Sequence, residues 1–346
     1  MGALRNVPIV SFYKIKKILD NMNILFDGNY LFHKTFSVFS TYYKGKDMSE
    51  VLADKEKRQV LIRKCVIDMC FAIKRFEKDL KRVAFVIDSS SWRYNFYADY
   101  KYALTRVRDA SYQGFLECLD EFENLLRKKG IIVSRVSGAE GDDLLYVWSL
   151  YFGYCLDEEL VIITGDSDIR QIMNKNVALF NNNSKNLKLY CIPEKETYWN
   201  EYLDTDIQVI PTVPFEVLLY KVIMGDTSDN IPKIKSGFGP KAFEKFIDWM
   251  KPYREPKDVD FMVMAQWIAT KFSEFSHMPY EDVLGKVLFN LKMTWLNLSV
   301  YNEMNYWSKD GKSLLERMLD DVNHQKDKYS YNNEYTLEKF YGMVIK

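Results

Sequence analysis

The chain has 346 residues, enough for one large domain or two ordinary ones with a sizeable core. Hydrophobic residues make up 47% and charged residues 28%, and 48 Lys+Arg balance 48 Asp+Glu, which argues against a protein held on nucleic acid by bulk positive charge and leaves local patches to decide. No run of about 18 apolar residues occurs, so a spanning helix is not expected, and Lys14, Lys16 and Lys17 interrupt the apolar opening, unlike a signal peptide.

Residues 1–21, with Val10, Tyr13, Ile15 and Ile18 among basic residues, read as an N-terminal extension forming an amphipathic surface helix. Residues 23–26 are an apolar run that ends in Asp27 and Gly28, a buried strand followed by a turn, and 81–87 repeat the pattern before Asp88. Between them, Leu61, Cys65, Met69, Ala72 and Phe76 recur every three or four residues and predict a long helix over 54–80. A second amphipathic helix is expected over 111–129, a strand over 131–136, a helix over 140–151, and a strand over 160–164 that again ends in acids. Such alternation predicts an α/β fold with a mainly parallel central sheet. Asn181, Asn182 and Asn183 mark a turn between two short strand-like pieces. Beyond residue 206, Pro211 and Pro214 punctuate the chain and the remainder reads as helices, which places a boundary near residue 210. Trp249, Trp267, Trp295 and Trp307 read as helical core.

Five cysteines form no CxxC pair, and His33, His277 and His324 are far apart and distant from them, so neither a disulfide framework nor a zinc site is expected. A reducing, cytoplasmic setting follows. The chemistry falls to acids: Asp27, Asp88, Glu140, Asp142, Asp143, Asp166, Asp168, Asp226 and Asp229. Each alone is explained as a cap or a turn residue. Together they stand at strand ends and helix starts, where an open α/β sheet gathers its functional groups. Like charges so gathered need cations or raised pKa values. Oxygen-only ligands select hard ions such as Mg²⁺, with Mn²⁺ able to substitute, and the number of acids suggests two ions. Two-metal sites cut phosphodiesters without a Ser, Cys or His nucleophile.

Phosphate-handling residues follow. Arg93, Lys101, Arg106 and Arg108 are interleaved with Trp92, Tyr94, Tyr97, Tyr100 and Tyr102, a pattern suited to phosphates and splayed bases and equally to a packed helix face. Gly237 and Gly239 precede a helix that begins near Pro240, with Lys233, Lys235 and Lys241 nearby, so backbone N–H groups there can meet a phosphate.

The ordered motifs FDGNYLFHK, VIDSSSWR, GAEGDDLL, TGDSDIRQ and MGDTSDNIP over about residues 22–250 resemble the 5′ nuclease family of flap endonucleases and 5′ to 3′ exonucleases, most of all free-standing phage exonucleases with RNase H activity. The resemblance implies a PIN-like catalytic domain over 22–210, then a mostly helical helix-hairpin-helix type module with C-terminal helices over 211–346. It implies that the nine acids form the metal site, that Lys101 and Arg93 contact the scissile phosphate from a helical arch, and that Gly237, Gly239 and Lys241 grip duplex backbone, with K⁺ at the hairpin. Arg106 and Arg108 would add DNA contacts, although the arginine usual three residues after the lysine is replaced by Leu104. The hairpin segment KIKSGFG is also one residue longer than usual.

The expected activity is metal-dependent, structure-specific hydrolysis at the 5′ end of DNA or RNA–DNA duplexes, in primer removal or flap cleavage. Single-strand binding protein and sliding clamp are plausible partners, and a phage-encoded enzyme would work in the host cytoplasm. The alternatives are a catalytically weak or inactive replisome scaffold and a PIN-type ribonuclease. A haloacid-dehalogenase-like phosphatase would need an acid where Asn29 stands.

Overall fold

The computed structural model describes residues 22–102, 110–183, 186–257, 259–303 and 311–326. The N-terminal extension, Arg106, Arg108 and Trp307 lie outside these described residues. Seven strands form one sheet: β1 (Met22–Asp27), β2 (Leu80–Val86), β3 (Ile132–Ser134), β4 (Leu160–Ile163), β5 (Val177–Asn181), β6 (Lys188–Cys191) and β7 (Gln208–Pro211). Their spatial order is β3-β2-β1-β4-β5-β6-β7. All neighbours run parallel except β5 and β6, which the asparagine turn joins as an antiparallel pair.

Alternate residues of each strand feed opposite faces, as the pleat demands. Ile24, Phe26, Phe85 and Ile163 pack under α1 (Gly28–Thr41), α2 (Met48–Ala53), α3 (Lys55–Ile73), α4 (Ala110–Lys128) and α6 (Glu196–Tyr202). Leu25, Ala84, Val86 and Ile162 face the other core, shared by α5 (Gly141–Ser149), α7 (Pro214–Met224), α8 (Pro240–Met250), α9 (Phe261–Ser276), α10 (Tyr280–Thr294), α11 (Leu298–Glu303) and α12 (Leu314–Lys326). Burial on both faces explains why these strands read as unbroken apolar runs.

Two expectations change. Asp27 and Gly28 do not make a turn: Asp27 caps α1 directly, and a Cβ on Gly28 would come within 2.6 Å of the Val86 carbonyl oxygen, so glycine lets the helix start against β2. The helix expected over 54–80 stops at Ile73 and tightens to a 3₁₀ turn at Lys74–Asp79 before β2. Strands end at Pro211 and helices follow, yet the core runs across residue 210 without a break. Trp295 is buried and Trp249 and Trp267 pack partly buried against this core. Among the described residues no helix is long and apolar enough to cross a membrane.

Candidate metal centre

The strand order reverses between β1 and β4, one leading to β2 and β3 and the other to β5. Loops leave the carboxyl ends of these strands in opposite directions, which opens a crevice there. Asp27, the last residue of β1, enters it as the cap of α1. One carboxylate oxygen accepts the Tyr30 backbone N–H at 2.9 Å, the other the Thr164 hydroxyl at 2.9 Å. The same Thr164 oxygen accepts the Asp166 N–H at 3.0 Å, so the ends of β1 and β4 are tied through one hydroxyl. Asp88 follows β2. Its backbone N–H donates to Asn29 and its carboxylate accepts the Gly141 N–H at 2.5 Å. A Cβ at position 141 would lie 2.8 Å from that carboxylate oxygen, which explains the glycine within GAEGDD.

The electrostatics follow from this convergence. Burial, followed by the charges of Asp88 and Asp166, pushes Asp27 up to about 7 despite two hydrogen bonds. Burial and the nearby Asp166, Glu140 and Asp27 raise Asp142 well above the usual carboxylate range, and Asp142 accepts no hydrogen bond among the described residues. Asp88 is raised by burial and by Glu140. Asp168 is pushed up to about 6 by burial and Asp166, against the pull of Lys221. Apart from Asp168, which shares Lys221, these carboxylates have no ion-pair partner among the described residues, and their all-oxygen donor set fits hard divalent cations. Among the described residues no three such side chains surround one point closely enough to cage an ion by themselves.

Glu140, Asp143 and Asp226 are already neutralised by cationic partners. Burial opposes the charge of Glu140, yet Arg93 and Lys101 outweigh it and hold the group down to about 2. Its oxygens accept from Arg93 at 2.7 Å, from the Tyr100 hydroxyl at 2.9 Å and from Lys101. Asp143 is fully buried under three side chains: Arg93 at 3.0 Å and 3.2 Å, Trp92 at 3.2 Å and Tyr301 at 2.8 Å on its oxygens, plus the Glu140 backbone N–H at 2.9 Å. Asp226 pairs with Lys221 at 2.6 Å, and the same ammonium reaches Asp168 at 2.6 Å. Lys221 and the Ser228 hydroxyl hold Asp226 below the usual range although burial opposes them. Asp229 accepts the Tyr100 hydroxyl at 3.0 Å, and burial raises it.

Arg93 therefore departs from the expectation. It is 3% exposed, spans Asp143 and Glu140, and donates from Nε to the Met293 carbonyl at 2.8 Å, so it is a buried brace and not a phosphate contact on an arch. Asp143, enclosed by donors, likewise stands apart from the open acids. Trp92 and Tyr100 are buried, so neither offers a stacking face, whereas Tyr102 is 49% exposed. Lys101 reaches the site edge: its ammonium pairs with Glu140 while its N–H donates to the Asp229 carbonyl at 3.1 Å, and its own backbone lies at φ 51°, a conformation non-glycine residues seldom adopt.

Gly237, at φ 73°, and Gly239, which caps α8, both have open space where a Cβ would stand, and Lys241 is exposed beside them on the first turn of α8. Lys241 belongs to the hairpin and not to the acid cluster. Two carbonyl oxygens of this hairpin already face ammonium groups, Ile234 with Lys286 at 2.8 Å and Phe238 with Lys233 at 3.5 Å. Sequence reasoning missed Lys221, Thr164, Tyr100 as a ligand-holding hydroxyl, and Tyr301. Lys221, five residues before Asp226 on an apolar helix, was discoverable; Tyr301 lies 158 residues from Asp143 and carries no local signal.

The family model for the 5′-3′ exonuclease, N-terminal resolvase-like domain, matches residues 22–201. A 5′-3′ exonuclease of Mycoplasmopsis pulmonis is 24% identical over 318 residues, 92% of this chain and 93% of that protein. A 5′-3′ exonuclease of Bacillus subtilis is 27% identical over 178 residues, 51% of this chain and 54% of that one. The bacteriophage T5 flap endonuclease, solved as a pseudo-enzyme–product complex with DNA and metal ions, shares the fold at a TM-score of 0.52 and 15% identity, covering 88% of this chain and 99% of that chain. With the match spanning β1 to α6 and every open acid on those elements in the crevice, the chain belongs to the 5′-3′ exonuclease family with an N-terminal resolvase-like domain.

Proposed function

We propose that this protein is a metal-dependent, structure-specific 5′ nuclease, hydrolysing phosphodiester bonds at the 5′ end of DNA or RNA–DNA duplexes. The observation that carries the reading is the meeting of Asp27, Asp88, Asp142, Asp166 and Asp168 at the sheet's switch point, where burial and mutual repulsion push four of them toward protonation. These five would hold Mg²⁺, in two sites, with Mn²⁺ able to replace it. Divalent ions bound there supply Lewis acidity, activate water and offset charge on the leaving oxygen.

The chain's own groups do the rest. Lys101 keeps its proton, since Glu140 and Asp229 favour its charged form against burial, and it sits at the rim where a phosphate displaces Glu140 as its partner. Arg93, Trp92 and Tyr301 hold the start of α5 so that Asp142 faces the crevice. The exposed Gly237 turn and the exposed Lys241 on the first turn of α8 would meet a duplex phosphate, the Ala242 and Phe243 N–H groups there already donating to the Gly239 carbonyl. Named relatives act as 5′-3′ exonucleases, which supports the 5′ polarity.

Cleavage of a 5′-labelled flap duplex and a 5′-labelled RNA–DNA hybrid, each with Mg²⁺ and with EDTA, tests the reading. Mg²⁺-dependent release from the 5′ end is expected, and relative rates on the two substrates rank flap cleavage against RNase H-type primer removal. Retained duplex binding with no cleavage would favour an inactive scaffold instead.

A further inference from the structure

Helix α10 carries a buried amide that the metal-site reading does not use. Asn290 is 1% exposed, and its Nδ2 donates to the carbonyls of Val222 at 2.7 Å and Pro232 at 2.8 Å. Both partners are acceptors, which fixes the amide's orientation. Its Oδ1 has no partner. A hydrocarbon of similar size would pack there without that orphan oxygen, so what the amide adds rests on the two carbonyl bonds.

Those carbonyls flank the segment that bears Asp226 and Asp229. Val222 lies in the last turn of α7, and Pro232 follows Ile231, which exchanges backbone hydrogen bonds with Asp226 at 2.9 Å and 2.7 Å. Gly225, at φ 68°, is pressed so close that a Cβ would meet the Pro232 carbonyl oxygen at 2.7 Å. The same helix reaches the other acid-bearing segments. Its Met293 carbonyl accepts from Arg93, and its Thr294 carbonyl accepts from Gln171, which follows Asp168, at 3.0 Å.

We propose that Asn290 is a positioning residue: by closing the base of the 222–232 loop it sets Asp229 and Asp226, whose partner Lys221 also holds Asp168, relative to the acids that end β1, follow β2 and β4 and start α5, and so sets the affinity for divalent ions. This rests on the reading of those acids as a divalent-ion site. It acts through loop geometry and touches neither ion nor substrate.

The test titrates Mn²⁺ into the full chain by calorimetry without substrate, and measures the Mg²⁺ dependence of flap cleavage and the thermal midpoint in parallel. Asn290→Leu is compared with Gln325→Leu, a change at another buried amide, which instead holds the Val133 N–H and Asp321 at the sheet edge. Asn290→Leu should weaken Mn²⁺ binding about tenfold or more and raise the Mg²⁺ requirement correspondingly, the scale expected of groups that orient metal ligands. Gln325→Leu should lower the thermal midpoint with metal binding unchanged. Wild-type Mn²⁺ affinity in Asn290→Leu, or equal weakening in both variants, would overturn the proposal. Should Asn290→Leu fail to fold, Asn290→Gln keeps the donors on a stem one methylene longer and should give the same metal shift; unaltered binding there overturns it too. A wild-type protein that binds no Mn²⁺ would remove the metal-site reading itself, and this inference with it.

Discussion

Asp142 and Asp143 are adjacent and chemically identical, yet the one-residue step of about 100° around α5 separates an open carboxylate from an enclosed one. Asp142 faces other acids, and its ionised form is disfavoured. Asp142→Asn should therefore stabilise the metal-free protein at neutral pH while abolishing cleavage, readable as a raised urea midpoint in EDTA. Asp143 is matched to Arg93, so the opposite holds on that side. Arg93→Met strands Asp143 in the interior, while Glu140 keeps Lys101, and should cost about 3–5 kcal/mol. An unchanged urea midpoint for Arg93→Met would return Arg93 to the role of a phosphate contact. Asp166, exposed and outside these braces, is the cleaner catalytic test: Asp166→Ala should lose cleavage and keep duplex binding nearly intact.

At the scale of elements, the proposed function assigns catalysis and duplex grip to separate pieces of chain. The open acids end β1, follow β2 and β4 or start α5, and the hairpin ahead of α8 would provide the backbone surface. Gly237 needs its positive φ, so Gly237→Ala should distort the hairpin and weaken duplex binding while single-turnover cleavage of bound flap changes less. Lys241 contributes charge without a partner in the acid cluster. Lys241→Ala should weaken binding and reduce the slope of log K against log salt by about one. A variant with the wild-type slope would remove Lys241 from the interface.

For the whole molecule, the raised carboxylates link stability to pH and metal. Asp27 titrates near 7 and Asp168 near 6 in the folded protein, against values near 4 when unfolded. Between these limits the native state holds protons that the unfolded chain has released, so stability from these groups is full below about pH 4 and declines as pH rises toward 7. Glu140, held at about 2, works oppositely but only below about pH 4. In EDTA the thermal midpoint should fall between pH 5 and pH 7.5, and Mg²⁺ should restore more of it at pH 7.5 than at pH 5, because protons and metal compete for the same oxygens. A flat profile in EDTA would mean the acids do not converge as described.

The primary sequence carried the acids, the alternation of strand and helix and the glycine hairpin, because each is written in local spacing: apolar runs for strands buried on two faces, three-to-four periodicity for α3, Gly-x-Gly before Pro240. It also placed every open carboxylate at a strand end or helix start. It did not show which acids are neutralised, since that depends on partners far along the chain: Arg93 on Asp143, Lys221 between Asp168 and Asp226, Tyr301 and Asn290 reaching in from the C-terminal helices. Charge and hydrogen-bond donors are residue properties, legible one at a time. Burial and pairing are properties of distance, and only the packed tertiary structure decided which acids are left open and which are already satisfied.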